Sequence, residues 1–141
     1  MASIVYNRFK TNLLKGLVDF SGSGSHSVFV ALLTSSYTPN ADHNYWTTIS
    51  GSETSGAGYV AGGMVLGNKS VTQDDTDDEG VFDADDTTWT TSTITAFYAA
   101  LYDNTLNTKD LICLIDFGSN QSSSAGNFTI QWNAQGIINL N

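Results

Sequence analysis

Hydrophobic residues recur with a helical period at one place in this chain. Tyr6, Phe9, Leu13 and Leu14 fall at i, i+3, i+7 and i+8, on one helix face, while Arg8, Lys10, Thr11 and Lys15 fall elsewhere on the wheel. Asn7 is placed to cap the start and Gly16 to end it, so the pattern predicts one short helix over about residues 6–15. From Leu17 onward the pattern is strand and turn. "LVDF" (17–20) and "SVFVALLT" (27–34) flank the turn-forming "SGSGSH", which predicts a hairpin. "MVLGNKSVTQ" predicts two short strands around a Gly67-Asn68 turn, and "GVFDADD" predicts another strand. "TITAFYAALYD" (93–103) alternates, with Ile94, Ala96, Tyr98, Ala100 and Tyr102 on one face and Phe97, Ala99 and Leu101 on the other. Both faces are apolar, as in a central strand. "LICLIDFG" (111–118) follows the turn "NTLNTKD" and is expected to pair with it. "NFTIQWN" (127–133) alternates Phe128, Ile130 and Trp132 against polar residues, and "GIINL" (136–140) follows.

About seven to nine short strands, one helix and no βαβ alternation predict a mainly β fold: an antiparallel β-sandwich or a jelly-roll or barrel-like domain. A chain of 141 residues reads as a single β-rich domain over 1–141, with the strands from about residue 17 to 140. The segment from Ser35 to Gly63 is long, polar and glycine-rich, and connections of that length are usually functional or partly structured.

Charge changes the picture next. Only 13% of residues are charged, against about 25% in an ordinary soluble domain, so Ser, Thr, Asn and Gly dominate the expected surface. The net charge of −9 argues against nucleic acid as a partner, because phosphate binding needs clustered Lys and Arg. The bases are unevenly placed. Arg8, Lys10 and Lys15 against Asp19 give residues 1–20 a net +2 and leave −11 on the remainder. That segment reads as a solvated helix face or as a docking segment for an acidic partner surface. Cys113 is the sole cysteine, so no disulfide forms within the chain, and in "LICLIDF" it reads as a small buried apolar residue. "MASIVYNRFKTNLLKG" lacks the apolar run and cleavage site of a signal peptide, and no segment reaches the ~20 apolar residues of a membrane helix. The expectation is synthesis in the cytoplasm, with no membrane partner.

The most conspicuous local feature is "QDDTDDEGVFDADD", with acids at Asp74, Asp75, Asp77, Asp78, Glu79, Asp83, Asp85 and Asp86. An EF-hand loop spaces its acids differently and closes on a Glu. A sandwich-loop calcium site on Asp83, Asp85 and Asp86 is the metal alternative. The favoured reading is a solvated turn and a strand edge, where carboxylates keep other strands from pairing; Asp86 is placed to cap the turn into "TTW". His26 and His43 lie in polar loops, with no G-x-S-x-G elbow to make a nucleophile. Two histidines and one cysteine are too few for a structural zinc site. "GAGYVAGG" is not followed by the GK[ST] of a phosphate loop. The reading is therefore no enzyme, no catalytic residues, no cofactor and no metal. Trp132 and Phe128 read as core. Trp46, beside Tyr45 in the long polar loop, reads as an exposed interface anchor.

Taken together, "YNRFKTNLL", "VALLTSSYTPNADHNYW", "SGAGYVAGG", "VFDADDTTW", "TITAFYAALYD", "IDFGSNQSSSAGNFTIQWN" and "GIINL" resemble a family of small virion structural proteins from tailed bacteriophages and prophages, over Ile4 to Leu140. "VALLTSSYTP", "VFDADD" and "FGSNQSSSAGNFTIQW" are the most specific stretches. The resemblance implies a capsid decoration (cement) protein on the outer surface of the virion, binding and stabilising the shell of the major capsid protein. The alternative is a tail, neck or fibre-associated component that binds host glycan. It carries over no catalytic residues. Arg8, Lys10, Lys15, Tyr45 and Trp46 are the expected contacts with the capsid or another partner, and the chain is expected to form a homo-oligomer, a dimer or trimer.

Overall fold

The computed structural model describes residues 1–22 and 25–141. Strand β1 (Ile4–Val5) leads into helix α1 (Asn7–Leu14), then β2 (Val28–Leu33), a short helix α2 (Trp46–Ile49) and a 3-10 turn (Ser50–Ser52). There follow β3 (Met64–Val65), β4 (Ser70–Asp74), β5 (Glu79–Asp83), β6 (Thr87–Ser92), β7 (Thr95–Asp103), β8 (Leu111–Ser122), β9 (Gly126–Ile130) and β10 (Ile138–Leu140). Strands make up 42% and helices 11% of the chain, which is the antiparallel, sandwich-like β class with a short helix. No helix among the described residues is long and apolar enough to cross a membrane.

The central sheet has the order β1-β8-β7-β2-β3, with every pairing antiparallel. β7 lies between β8 and β2, as its two apolar faces require. On β2, Val28, Val30 and Leu32 enter one core while Ala31 and Leu33 enter a second on the opposite face. The first core is closed by Phe9 and Phe20 and by side chains of two small sheets, β10-β5-β4 and β6-β9, including Phe82, Trp89, Phe128 and Ile138. The second is closed by Tyr6, Tyr37, Trp46 and Ile49, so the long polar segment after β2 is a lid of aromatic residues over the sheet.

Several local expectations are corrected. "LVDF" is not a strand: Phe20 packs into the first core, stacked 5.6 Å from Phe9, and the Asp19 carbonyl accepts the His26 amide at 2.7 Å. The predicted hairpin turn there includes Ser23 and Gly24, which lie outside the described residues. "MVLGNKSVTQ" is not a hairpin, because β3 joins β2 while β4 joins β5 in a separate sheet. The alternation of "TITAFYAALYD" changes phase at Phe97. Ala96 and Ala99 share the first core while Tyr98, Ala100 and Tyr102 face the second, because the β7–β8 register shifts between Ala96 and Tyr98. β8 bulges there through Gly118, at φ 76°.

In α1, the buried positions are Phe9 and Asn12, not Leu13 and Leu14; Leu13 is 36% exposed and Leu14 91%. The helix is held down by a polar contact of Asn12, described below, which turns the leucines outward. Tyr6 rather than Asn7 is the residue preceding the helix, and Gly16 follows it at φ 65°, the left-handed conformation that ends helices.

Candidate functional site

Three of the five expected contact residues meet around Asp110, and one of them, Arg8, bonds to its buried carboxylate. The Arg8 Nε donates to Asp110 Oδ2 at 2.6 Å, and Asn12 Nδ2 donates to the same oxygen at 2.8 Å. Thr108 Oγ1 donates to Asp110 Oδ1 at 2.5 Å. Tyr45 forms a backbone bridge with Asp110, and the Arg8 guanidinium carbon lies 5.3 Å from the centre of its ring. Trp46 follows, its amide donating 2.9 Å to the Lys109 carbonyl. Burial alone would raise the Asp110 carboxyl, but the bonds from Thr108, Asn12 and Arg8, with the Arg8 charge, bring it below its ordinary value. The Arg8 guanidinium is correspondingly raised, first by its bond to Asp110.

The arrangement joins α1, the 37–46 segment and the start of β8. Trp46 is therefore not an exposed anchor. It is buried and stacked on Tyr102, with centroids 5.0 Å apart and planes 10° from parallel. Its indole fills the apolar face that β7 turns toward the lid, a stronger sink for it than water. Arg8 is internally paired, and Tyr45 is half-buried beneath it. Lys10 and Lys15 are exposed; Lys10 Nζ donates to Asn7 Oδ1 at 3.4 Å. The free positive charge of the N-terminal segment is thus carried by the two lysines.

The acidic run divides between a turn and two strand ends. Asp74 ends β4, Asp75, Asp77 and Asp78 occupy the β4–β5 turn, and Glu79 opens β5. Carboxylate oxygens of Asp74, Asp77 and Glu79 come within 4.8 Å of one another. Two of the three are already engaged: Asp74 Oδ1 accepts the Thr76 amide at 2.8 Å and the Asp77 amide at 3.3 Å, and Glu79 Oε1 accepts from Asn139 Nδ2. Asp83, Asp85 and Asp86 line one open pocket beside Trp132, but their carboxylates do not gather as those of the turn do. Asp83 ends β5, Asp85 accepts from Asn68 at 2.5 Å, and Asp86 Oδ1 accepts the Trp132 amide at 2.8 Å. Asp86 thus fastens the start of β6 to the residues after β9.

The histidines have partners that sequence proximity did not suggest. His26 Nδ1 lies 2.6 Å from Asp103 Oδ2, 77 residues away, and His43 Nδ1 lies 3.0 Å from the Tyr37 hydroxyl. The hydroxyl of Ser25 donates instead to the Gly22 carbonyl at 2.8 Å. His26 thus fastens its loop to the end of β7, while His43 bonds within the 37–46 segment. Cys113 is fully buried, and burial pushes its thiol up to about 12, so it is the inert apolar residue expected of it.

A further surface went unforeseen. Between α1 and the β10-β5-β4 sheet runs an open groove of about 230 Å³, lined by Phe9, Leu13, Phe20, Val71, Phe82 and Leu140 among others. Its rim exposes Leu13, Val71 (51%) and Leu140 (46%), and Leu14 and Leu17 (48%) are exposed nearby in sequence. The only advance signal was the pair Leu13-Leu14, which helical period assigned to the core.

No family model matches this chain, and no curated protein or solved structure matches it either.

Proposed function

We propose that this chain is a structural protein of tailed-phage virions, a decoration protein that binds the assembled major capsid shell from outside. The observation that carries the reading is the apolar groove beside α1, with leucines and a valine open to water at its rim. Exposed apolar surface of this kind, rimmed by polar residues, marks a protein interaction site. Lys10, on the same helix as Leu13, and Lys15, just past its end, supply positive charge for an acidic partner surface. The net charge of −9 favours an exterior position, away from packaged DNA. Weak individual contacts suffice where a shell repeats the site many times. The resemblance of "VALLTSSYTP", "VFDADD" and "FGSNQSSSAGNFTIQW" to phage virion proteins supports the same reading.

The test is a density map of the intact particle that carries this protein, with binding of the purified chain to stripped shells beside it. Density on the outer shell, with binding reduced several-fold by Leu13→Asp or by Lys10→Glu with Lys15→Glu, is expected. Density confined to the tail or neck overturns the capsid assignment.

One feature favours a second reading, a tail-associated glycan binder. A groove of about 310 Å³ beside β8 and β9 is lined by Phe117 and the amides of Gln121, Asn127 and Gln131, groups suited to sugar hydroxyls. Binding on a glycan array, lost in Gln121→Ala, would favour it.

A further inference from the structure

We infer that β4 is a self-association edge, at which two copies of this chain pair antiparallel about a two-fold axis at Thr72. This deepens the docking reading above and rests on it, because Val71 of β4 also lines the apolar groove.

β4 is one of the two edges of the β10-β5-β4 sheet, hydrogen-bonded on its inner side to β5 with Val71 opposite Phe82 and Thr72 opposite Val81. An open edge presents a row of unpaired amides and carbonyls to any strand that can reach it. Natural proteins block such edges with charge, and the acidic run first suggests a block of that kind. The structure puts the charges elsewhere. The strand itself reads Ser70, Val71, Thr72, Gln73 and Asp74, and the carboxylates of Asp75, Asp77 and Asp78 lie in the turn beyond its end. Ser70 through Gln73 are all exposed.

Antiparallel pairing about Thr72 uses this distribution. It sets the two acidic turns at opposite ends of the joint, where their repulsion is least. Ser70 of each copy falls opposite Asp74 of the other, a hydroxyl donor facing a carboxylate. Val71 falls opposite Gln73. Just outside the strand, Lys69 of each copy falls opposite Asp75 of the other, and two-fold symmetry makes this ion pair twice. Pairing shifted toward the turn would bring the two Asp74 side chains together, and like charges opposite one another disfavour a sheet. The axis stands perpendicular to the sheet, so both grooves open on the same face and their Val71 walls meet at the joint. The occupant of the edge is thus a second copy, matched by charge and by a continuous apolar strip.

Two experiments with the full chain test this. Thr72→Cys places a thiol on the axis, where facing Cα atoms of antiparallel strands stand about 4.5–5.5 Å apart, within disulfide range. Mild oxidation should give a covalent dimer, whereas Ser70→Cys, whose copies would stand roughly 13 Å apart, should give none. Cys113 is buried and serves as a silent internal thiol. In sedimentation equilibrium at low salt, Lys69→Glu and Asp75→Lys should each weaken dimerisation about tenfold, because symmetry alters two ion pairs at once. The double variant should recover most of the loss. A monomer at high micromolar concentration, equal cross-linking of the two cysteine variants, or a double variant no better than the singles overturns the proposal. Each of these results leaves the particle map free to succeed, so failure of the edge and failure of the virion reading are distinguishable.

Discussion

Arg8 and Asp110 are 102 residues apart in the chain and meet at 2.6 Å, with the carboxylate 3% exposed and the guanidinium 31%. A carboxylate so enclosed must keep its donors, and Asn12 and Thr108 complete the set. Removing the charge leaves those donors underused inside the protein. Asp110→Asn should cost about 2 kcal/mol, on the order of 6 °C in Tm. The pH dependence has a definite sign. The folded carboxyl lies below its ordinary value of 3.8, so its contribution is full above that pH and is lost as pH falls through the lower folded value. The stability gap between wild type and Asp110→Asn should therefore be constant near neutrality and shrink in acid. Urea titrations at a series of pH values measure it, and a gap unchanged down to pH ~2 would contradict the assignment.

Trp46 and Leu14 make a paired prediction with opposite outcomes. Trp46 is buried on Tyr102, so Trp46→Ala should cost about 3–5 kcal/mol and loosen the 37–46 segment. Leu14 is 91% exposed, so Leu14→Ala should change stability by less than about 0.5 kcal/mol. Thermal melts of the two variants decide the matter. Equal losses would mean that Leu14 packs in the core after all.

Those two residues also show where sequence pattern stops. Strand period placed β7 and β8 and their pairing, because a strand buried on both faces leaves a long apolar record that no turn interrupts. The phase change at Phe97 was invisible because it comes from three extra residues on β8, not from anything in β7. Helical period could not tell Asn12 from Leu13, since the choice was made by Asp110, nearly a hundred residues away. Trp46 looked exposed because its neighbours are polar, yet their backbone groups bond to β8 while the indole covers the sheet. Arg8 and Tyr45 were named as outward contacts and instead face each other. Of the positions singled out for partners, Lys10 and Lys15 remain exposed. The groove depends on how α1 meets a sheet formed from residues 70–83 and 138–140, a relationship no local window contains.

Glycine supplies a sharper test of packing. Gly63 holds φ 82°, and a Cβ there would lie 2.0 Å from the Val30 carbonyl oxygen and 2.7 Å from Ala31 Cα. Both neighbours are backbone of a central strand and cannot move aside. Gly63→Ala should cost about 3 kcal/mol or more, combining left-handed strain with the clash. Gly51→Ala is the control, since nothing lies within 4 Å of its Cβ position. Soluble yield and Tm report both, and a Gly63→Ala protein as stable as wild type would place the 56–63 loop elsewhere.

The acidic turn gives the last prediction. Asp74, Asp77 and Glu79 gather within 4.8 Å, the kind of grouping that invites a divalent cation. Calcium, however, wants six to eight oxygens, roughly, at 2.3–2.6 Å. Here the Asp74 oxygen nearest the turn is taken by the Thr76 and Asp77 amides, and Glu79 by Asn139. Those donors already stabilise the charge, so the turn keeps its shape on hydrogen bonds alone. The carboxylates left over repel one another through water, each pair by a fraction of a kcal/mol. Chelator should leave Tm unchanged, and millimolar calcium should raise it by less than ~2 °C, through screening that sodium chloride reproduces. Asp77→Asn should then be slightly stabilising, by a few tenths of a kcal/mol, because it removes a repulsive charge without removing an amide acceptor. A rise above ~5 °C that calcium gives and sodium does not, abolished by Asp77→Asn, would show instead that the turn binds the ion.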